Sequence, residues 1–334
     1  TAEAVADEEV RRQFVRDYLS EAEIASGRLQ EILTEYFLSL PARAMVEQME
    51  AGVRKAELQQ FEKTSLADMT AFGETDYPFL VDPMPNLYFT RDPFAVVGGG
   101  VAIHKMHTKT RNRETLFGKY IFEHHPRYKT VPKWYDRAET SSLEGGDILV
   151  LSPEVLAVGI SERTEEDSID KFAQTVLSNS PTFRKVLAIN IPKTRALMHL
   201  DTVFTMVDVG VFTVHPAILR DLDVYVLELG KNGKIRIREE QGRLSDILQR
   251  HLKLDKVELI PCGGGNPIDA AREQWSDASN TLAVAPGEVV VYSRNYVTNR
   301  LLEEHGVTIH CIPSSELSRG RGGPRCMSMP FVRD

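Results

Sequence analysis

Cys326 stands in the run Arg319-Gly-Arg-Gly-Gly-Pro-Arg-Cys, with three arginines in the seven residues before it. Nearby positive charge lowers a thiol pKa and favours the thiolate, the nucleophilic form. A Gly-rich loop also lets backbone approach a small ligand closely. A buried, inert thiol is the competing reading. Cys262 and Cys311 have apolar neighbours in Ile260 and Ile312 and read as structural. His199 lies in Met-His-Leu-Asp-Thr, two residues before Asp201. In an extended segment those two side chains share a face. A His beside a carboxylate can hold a proton near neutral pH, so it can act as general acid and then as base. Two metal ligands would look the same, but no second His or Cys stands at a matching spacing, so no metal site is expected.

Glu144-Gly-Gly-Asp147 and Phe89-Thr-Arg-Asp92-Pro place further carboxylates next to turn-forming residues. Taken singly, such residues are usually solvated or capping. Gathered around one His and one Cys, Asp92, Glu144, Asp147 and Asp201 would make a strongly negative cleft. A planar guanidinium pairs bidentately with carboxylates and is the natural cation for it. Arg111 and Arg163, on the rim, could pair with a carboxylate elsewhere on the same ligand.

Two textures of chain must position these residues. From Glu8 to Leu38 apolar residues recur at helical spacing (Val10, Phe14, Tyr18, Ile24, Leu29, Ile32, Leu33, Tyr36). Pro41 suits the first turn of a second helix reaching about Gln60, and Thr64 to Phe72 reads as a third, ended by Gly73. From Tyr77 onward short β-rich runs alternate with turns and helical patterns. The segments 147–160, 201–216 and 280–293 each read as two strands joined by a tight turn. Helical patterns follow at Ile169 to Leu177, Pro216 to Asp221 and Thr298 to His305, with further strands at 186–191 and 307–312. The expected domains are therefore a helical segment over 1–76 and an α/β segment over 77–334. Asp92, Asp147 and Asp201 open successive strand pairs 55 and 54 residues apart, and a Gly-rich turn with Asn266 comes 65 further on. Strand–strand–helix–strand content at such a period suggests radially repeated, propeller-like units. Residues opening each unit would then converge near one axis.

Composition sets the remaining bounds. The chain has 334 residues, 42% of them hydrophobic and 26% charged, with a net charge of −8. That argues against an electrostatic nucleic-acid binder. Three cysteines, none within ten residues of another, favour a reducing compartment over a disulfide framework. No apolar run reaches the roughly 18 residues of a membrane helix, and no signal-peptide pattern opens the chain. The chain starts at Thr1 without Met and reads as a piece of a longer protein.

The motifs MPNLYFTRDPF (84–94), RNRET (111–115), EGGD (144–147), GISERT (159–164), MHLDT (198–202) and RGGPRCMSMP (321–330) resemble the arginine deiminase family, in its order. The resemblance implies a five-bladed, pseudo-symmetric α/β propeller of ββαβ-type units with an inserted helical subdomain. It also implies that an N-terminal segment supplying part of the first blade precedes Thr1 in the family. The implied activity is hydrolysis of L-arginine to L-citrulline and ammonia in the cytoplasm, with no cofactor, no membrane and a dimer or tetramer as the working assembly. Alternatives are an amidinotransferase or another guanidine hydrolase on the same scaffold, or an inactive arginine-binding fragment. By the same resemblance Cys326 is the nucleophile, His199 the general acid/base and Glu144 its orienting carboxylate. Asp92 and Asp201 clamp the guanidinium, and Asn86, Arg111 and Arg163 hold the α-carboxylate. Phe89 walls the pocket, Arg321 gates it, and Asp147 lies near the site.

Overall fold

Asp7 caps the first helix: its carboxylate accepts the backbone N–H groups of Glu9 and Val10, donors that a helix start otherwise leaves open. Helix α1 (Glu8–Glu21) then buries Phe14, Val15, Tyr18 and Leu19, a stripe at spacings of three and four. The computed structural model describes residues 1–24, 27–58, 65–72, 76–220 and 222–333. They form two compact units, one of Thr1–Tyr88 with Thr108–Val131, the other of Phe89–His107 with Pro132–Asp334.

In the first unit α1 is followed by α2 (Arg28–Ser39), α3 (Ala42–Ala51), β1 (Val53–Arg54), α4 (Leu66–Ala71), β2 (Phe79–Val81), α5 (Lys109–Asn112) and α6 (Glu114–His124). The helical pattern from Glu8 to Leu38 is thus two helices. After α1 the chain turns through Glu23 at φ 63°, and the Ile24 N–H closes on the Leu19 carbonyl at 2.9 Å. Helix α3 stops at Ala51, short of the expected Gln60, because the backbone leaves the helix at Gly52 and enters β1, which pairs antiparallel with β2. Gln60, Thr64 and Gly73, which bounded the expected second and third helices, lie outside the described residues. The core joins Phe14, Tyr18, Ile32, Phe37 and Met45 to Leu116, Phe117 and Tyr120 of α6. That burial is why residues from beyond position 100 group with the helices, and why this unit differs from an expected boundary between 76 and 77.

The second unit repeats one pattern four times: an antiparallel strand pair, then a third strand parallel to the second. The first group is β3 (Phe94–Val97), β4 (Gly100–Ile103) and β5 (Lys133–Tyr135). The second is β6 (Ile148–Val150), β7 (Val155–Ile160), helix α7 (Glu166–Asn179) and β8 (Lys185–Asn190). The third begins with β9 (Phe204–Asp208) and β10 (Val211–Val214), is interrupted by the hairpin β11 (Leu222–Leu229) and β12 (Ile235–Gly242), and resumes with α8 (Leu244–Leu252) and β13 (Glu258–Pro261). After α9 (Pro267–Gln274) the fourth follows as β14 (Leu282–Ala285), β15 (Glu288–Tyr292), α10 (Tyr296–Glu304) and β16 (Thr308–Ile312). The mixed α/β class is as expected.

The third group differs from expectation. Pro216–Ile218 is one 3-10 turn rather than a helix, Asp221 lies outside the described residues, and the crossover helix is α8. The hairpin adds to β8 and makes a sheet of order β12-β11-β8-β7-β6. Its turn, Lys231-Asn-Gly-Lys between apolar runs, is a hairpin signal that the expectations did not use. Strand β7 is buried on both faces. Leu156, Val158 and Ile160 pack with Phe172 and Val176 of α7, while Val155 and Ala157 share a cluster with Leu244, Ile247 and Leu248 of α8. No helix among the described residues is long and apolar enough to cross a membrane.

Candidate active site

Each repeat of the second unit places a polar residue just before its first strand: Asp92 before β3, Asp147 before β6, Asp201 before β9 and Asn280 before β14. The fourth position is therefore Asn280, not the expected Asn266. Asn266 instead caps α9, its side-chain oxygen accepting the Ile268 and Asp269 N–H groups at 2.9 and 3.4 Å. The inserted hairpin lengthens the third repeat to 79 residues, from Asp201 to Asn280, so the turn at Asn266 falls short of the fourth.

The structure brings the expected residues together in two groups. His199 Nε2 lies 2.7 Å from Glu144 Oε2, and both side chains are buried. Glu144 Oε1 accepts the His107 N–H at 2.9 Å. An oxygen of Asp92, an oxygen of Glu144 and a ring nitrogen of His199 all lie within 4.8 Å of one another. Cys326 Sγ is 3.9 Å from Asp201 Oδ2. Asn280 links the last two segments, donating to the Asp201 carbonyl at 3.2 Å and accepting the Cys326 N–H at 3.1 Å. Asp147 supports this arrangement from beneath. Its oxygens accept the Leu200 N–H and the Ser161 hydroxyl, each at 2.7 Å. Thr164 Oγ1 accepts the Glu144 N–H at 3.1 Å, so the 161–164 loop holds both ends of the Glu144–Asp147 turn.

Two local conformations explain the motif spellings. His199 and Asp201 are not on a strand as expected: Leu200–Thr202 is a 3-10 turn, and β9 begins only at Phe204. The turn lets the Leu200 N–H reach back to Asp147. Gly146 is required by close approach. A Cβ there would sit 2.7 Å from His199 Cγ and Nδ1, inside contact distance.

The remaining candidates are placed as follows. Phe89 is buried against Gly322, where a Cβ would meet the ring at 2.3 Å. Arg163 donates its backbone N–H to Ser161 Oγ at 3.0 Å, and its buried Nε has no hydrogen-bond partner among the described residues. Arg321 stands with its guanidinium carbon 3.9 Å over the Trp275 ring. Its three guanidinium nitrogens are buried with no hydrogen-bond partner among the described residues. Asn86 and Arg111 belong to the helical unit. Asn86 is half-buried in a turn after β2, and Arg111 forks onto Glu114, with Nε at 3.0 and Nη2 at 2.8 Å.

The sequence leaves the charge of the thiol open, since the clamp carboxylates raise its pKa and the loop arginines lower it. The arginines before Cys326 do not hold it as a thiolate. Burial first, then Asp201, Asp92 and Asp277, push the thiol well above its ordinary pKa. The reason is where the arginines go. Arg319 pairs with Glu316, Arg321 lies over Trp275, and Arg325 pairs with Asp201. Burial lowers the proton affinity of His199, but Asp92, Glu144 and Asp147 outweigh it and hold the imidazolium to about pH 10. Burial raises the Asp147 carboxyl to about 7. It lowers His104, whose Nδ1 lies 2.6 Å from the Asp92 carbonyl, to about 4. At neutral pH the thiol therefore keeps its proton and His199 is an imidazolium, and Asp92 acts on both.

Arg91, His104, Asp277, Asn280 and Arg325 were not among the expected residues. Asn280-Thr was legible, since it opens its strand pair as Asp201-Thr opens the preceding one. Arg91 and Arg325 each directly precede a residue that was singled out.

Fold and site together define an α/β protein of repeated ββαβ units with a buried Cys–His–carboxylate centre at the strand entries. The family model described as arginine deiminase matches residues 1–333. The arginine deiminase of Clostridium perfringens is 56% identical over 340 residues, covering 100% of this chain and 81% of that protein. The chain belongs to the arginine deiminase family. Among solved structures, apo ArgZ, an arginine dihydrolase of cyanobacteria, matches at TM-score 0.52 and 17% identity, over 75% of this chain and 33% of that one. This chain thus spans about a third of that protein. A mutant DDAH from Pseudomonas aeruginosa complexed with citrulline matches at TM-score 0.51 and 16% identity, over 73% of this chain and 76% of that one. At such identities these likenesses show a shared fold.

Proposed function

We propose that this chain hydrolyses the guanidino group of L-arginine to L-citrulline and ammonia. The observations that support the reading are the buried group of Asp92, Glu144 and His199, the approach of Cys326 to Asp201, and the action of Asp92 on the same sulfur. Asp92 and Asp201 bind the guanidinium by charge-assisted hydrogen bonds and align its carbon with the sulfur. The entering cation offsets the two carboxylates that hold the thiol up, and the thiol proton leaves to solvent. The thiolate attacks, forming a neutral tetrahedral adduct. His199, already an imidazolium, donates its proton to a departing amino group; ammonia leaves, and an S-alkylthiouronium cation remains on Cys326. The neutral imidazole then takes a proton from water as the oxygen bonds to carbon. The C–S bond breaks, thiolate returns, and citrulline departs with loss of one proton to solvent. Glu144 holds the ring through both proton transfers.

In the same reading Arg163 binds the α-carboxylate, Phe89 walls the pocket, Arg321 gates it, and Asp147 braces the His199 turn. The four ββαβ groups support a five-bladed propeller as the complete fold, with the helical unit as an inserted subdomain. We further propose a cytoplasmic homo-oligomer, dimer or tetramer, that works without a cofactor. The test is to mix the chain with arginine, quench with acid and weigh the intact protein. An adduct present in the wild type and lost in Cys326→Ser is expected. Citrulline production by Cys326→Ser near the wild-type rate overturns the assignment.

A further inference from the structure

We propose that Arg325 is a positioning residue: it holds one oxygen of Asp201, leaves the other for the substrate cation, and screens that carboxylate from the Cys326 sulfur. The proposal rests on the reading above, in which Asp201 clamps the substrate. Arg325 Nη1 lies 2.5 Å from Asp201 Oδ2, and Nη2 donates to the Ile148 carbonyl at 2.8 Å. The Arg325 side chain is 10% exposed and that of Asp201 fully buried. Oδ2 is also the oxygen 3.9 Å from the sulfur. The oxygen that the thiol reaches is therefore the one that the guanidinium covers. Oδ1, buried, has no hydrogen-bond partner among the described residues. A buried acceptor left open beside a nucleophile is what a cationic substrate would fill.

Arg91 fixes the backbone that carries this pair. Its Nε donates to the Arg325 carbonyl at 3.2 Å, its Nη2 to Ser328 Oγ at 3.2 Å, and its backbone N–H to the Cys326 carbonyl at 3.1 Å. Arg91 immediately precedes Asp92, so the same residue ties the segment of one clamp carboxylate to the loop that holds the sulfur and the partner of the other. Without Arg325, Asp201 would stand uncompensated against the forming thiolate and could rotate toward it. Lysine restores the charge but not the fork that spans Asp201 and Ile148.

The test compares wild type, Arg325→Gln and Arg325→Lys. The first readout is the rate of Cys326 alkylation by iodoacetamide without substrate, from pH 6 to 9, by intact mass; the second is kcat for arginine. A tenfold change in thiolate fraction corresponds to one pKa unit. Arg325→Gln is expected to slow alkylation about tenfold or more at every pH and to lower kcat about a hundredfold. Arg325→Lys should alkylate within about threefold of wild type while kcat recovers only in part. If Arg325→Gln is alkylated at the wild-type rate, the pair is an ion pair of structural value alone and the proposal fails. Should Arg325→Gln not fold, Asp201→Asn gives the reciprocal measurement: it leaves an unopposed guanidinium, alkylation should quicken about tenfold, and no change overturns the proposal. Slower alkylation of Arg325→Gln together with a wild type that makes no citrulline would uphold the screening and reject the functional reading.

Discussion

Glu144 and His199, 55 residues apart in sequence, meet side chain to side chain at 2.7 Å in the interior, and the second oxygen of Glu144 is fixed by the His107 N–H. A carboxylate anchored at both oxygens sets the orientation of the ring and favours its charged form. Glu144→Gln keeps the shape and removes the charge. His199 should then hold its proton less tightly, and kcat for arginine should fall by roughly 10²–10⁴-fold, the usual worth of general acid–base help. Steady-state kinetics beside a thermal melt checks this; a kcat within threefold of wild type would remove Glu144 from the mechanism.

The pH dependence of stability has a definite sign. His199 is held to about pH 10 in the folded chain, above its ordinary value. Its contribution is complete below about pH 6.5 and lost as the pH rises through about 10. The Asp147 carboxyl, raised to about 7, acts in the same sense: its contribution is lost as the pH rises through 7. His104, lowered to about 4, acts oppositely, and its contribution disappears as the pH falls through 4. The Tm should therefore decline between pH 7 and 10. Nitrogen-15 imidazole spectra should show His199 doubly protonated at pH 8.5 and His104 neutral at pH 5.5. A His199 that titrates near 6.5 contradicts the electrostatic account.

Gly146→Ala should expel the His199 ring, because the added methyl would lie 2.7 Å from it. The expected cost is about 1–3 kcal/mol of stability, the usual range for overpacking, together with most of the activity. Gly99→Ala is the control: nothing lies within 4 Å of its added carbon. It should stay within about 0.5 kcal/mol of wild type, as surface changes usually do. Calorimetry on the two variants decides the matter, and equal stabilities would show that the ring can yield.

Arg163→Ala addresses specificity. Its buried Nε lacks a hydrogen-bond partner among the described residues, and its loop is tied to Asp147 and Glu144 through Ser161 and Thr164. The kcat/KM for arginine should drop roughly ten- to hundredfold, the size of a hydrogen bond to a charged group. Turnover of agmatine, which has no carboxylate, should change far less. Equal losses on the two substrates would exclude the carboxylate-binding role.

Much of this centre was legible before folding. Asp92, Asp147 and Asp201 each announce a strand pair, and glycines beside Glu144 and before Cys326 mark places where backbone and side chains crowd. These are local signals, because turns and strand starts depend on residues a few positions away. The hairpin at 222–242 was equally local, and the turn Lys231-Asn-Gly-Lys carried it. The addition of α6 to the helical core was not local: Leu116, Phe117 and Tyr120 are an amphipathic face like any other until Phe14 and Tyr18 meet them.

What the amino-acid order determined by itself, then, was the candidate site residues, the repeating strand pairs and the family. Only the tertiary structure decided how those side chains are charged. Three arginines before a cysteine favour a thiolate and the clamp carboxylates oppose it; folding turns one arginine onto Glu316, one onto Trp275 and one onto Asp201, and burial with the carboxylates pushes the thiol well above its ordinary pKa. Proton affinity follows burial and the nearest charges in space, and those neighbours come from segments as far apart as Asp92 and Cys326, where no local pattern records them.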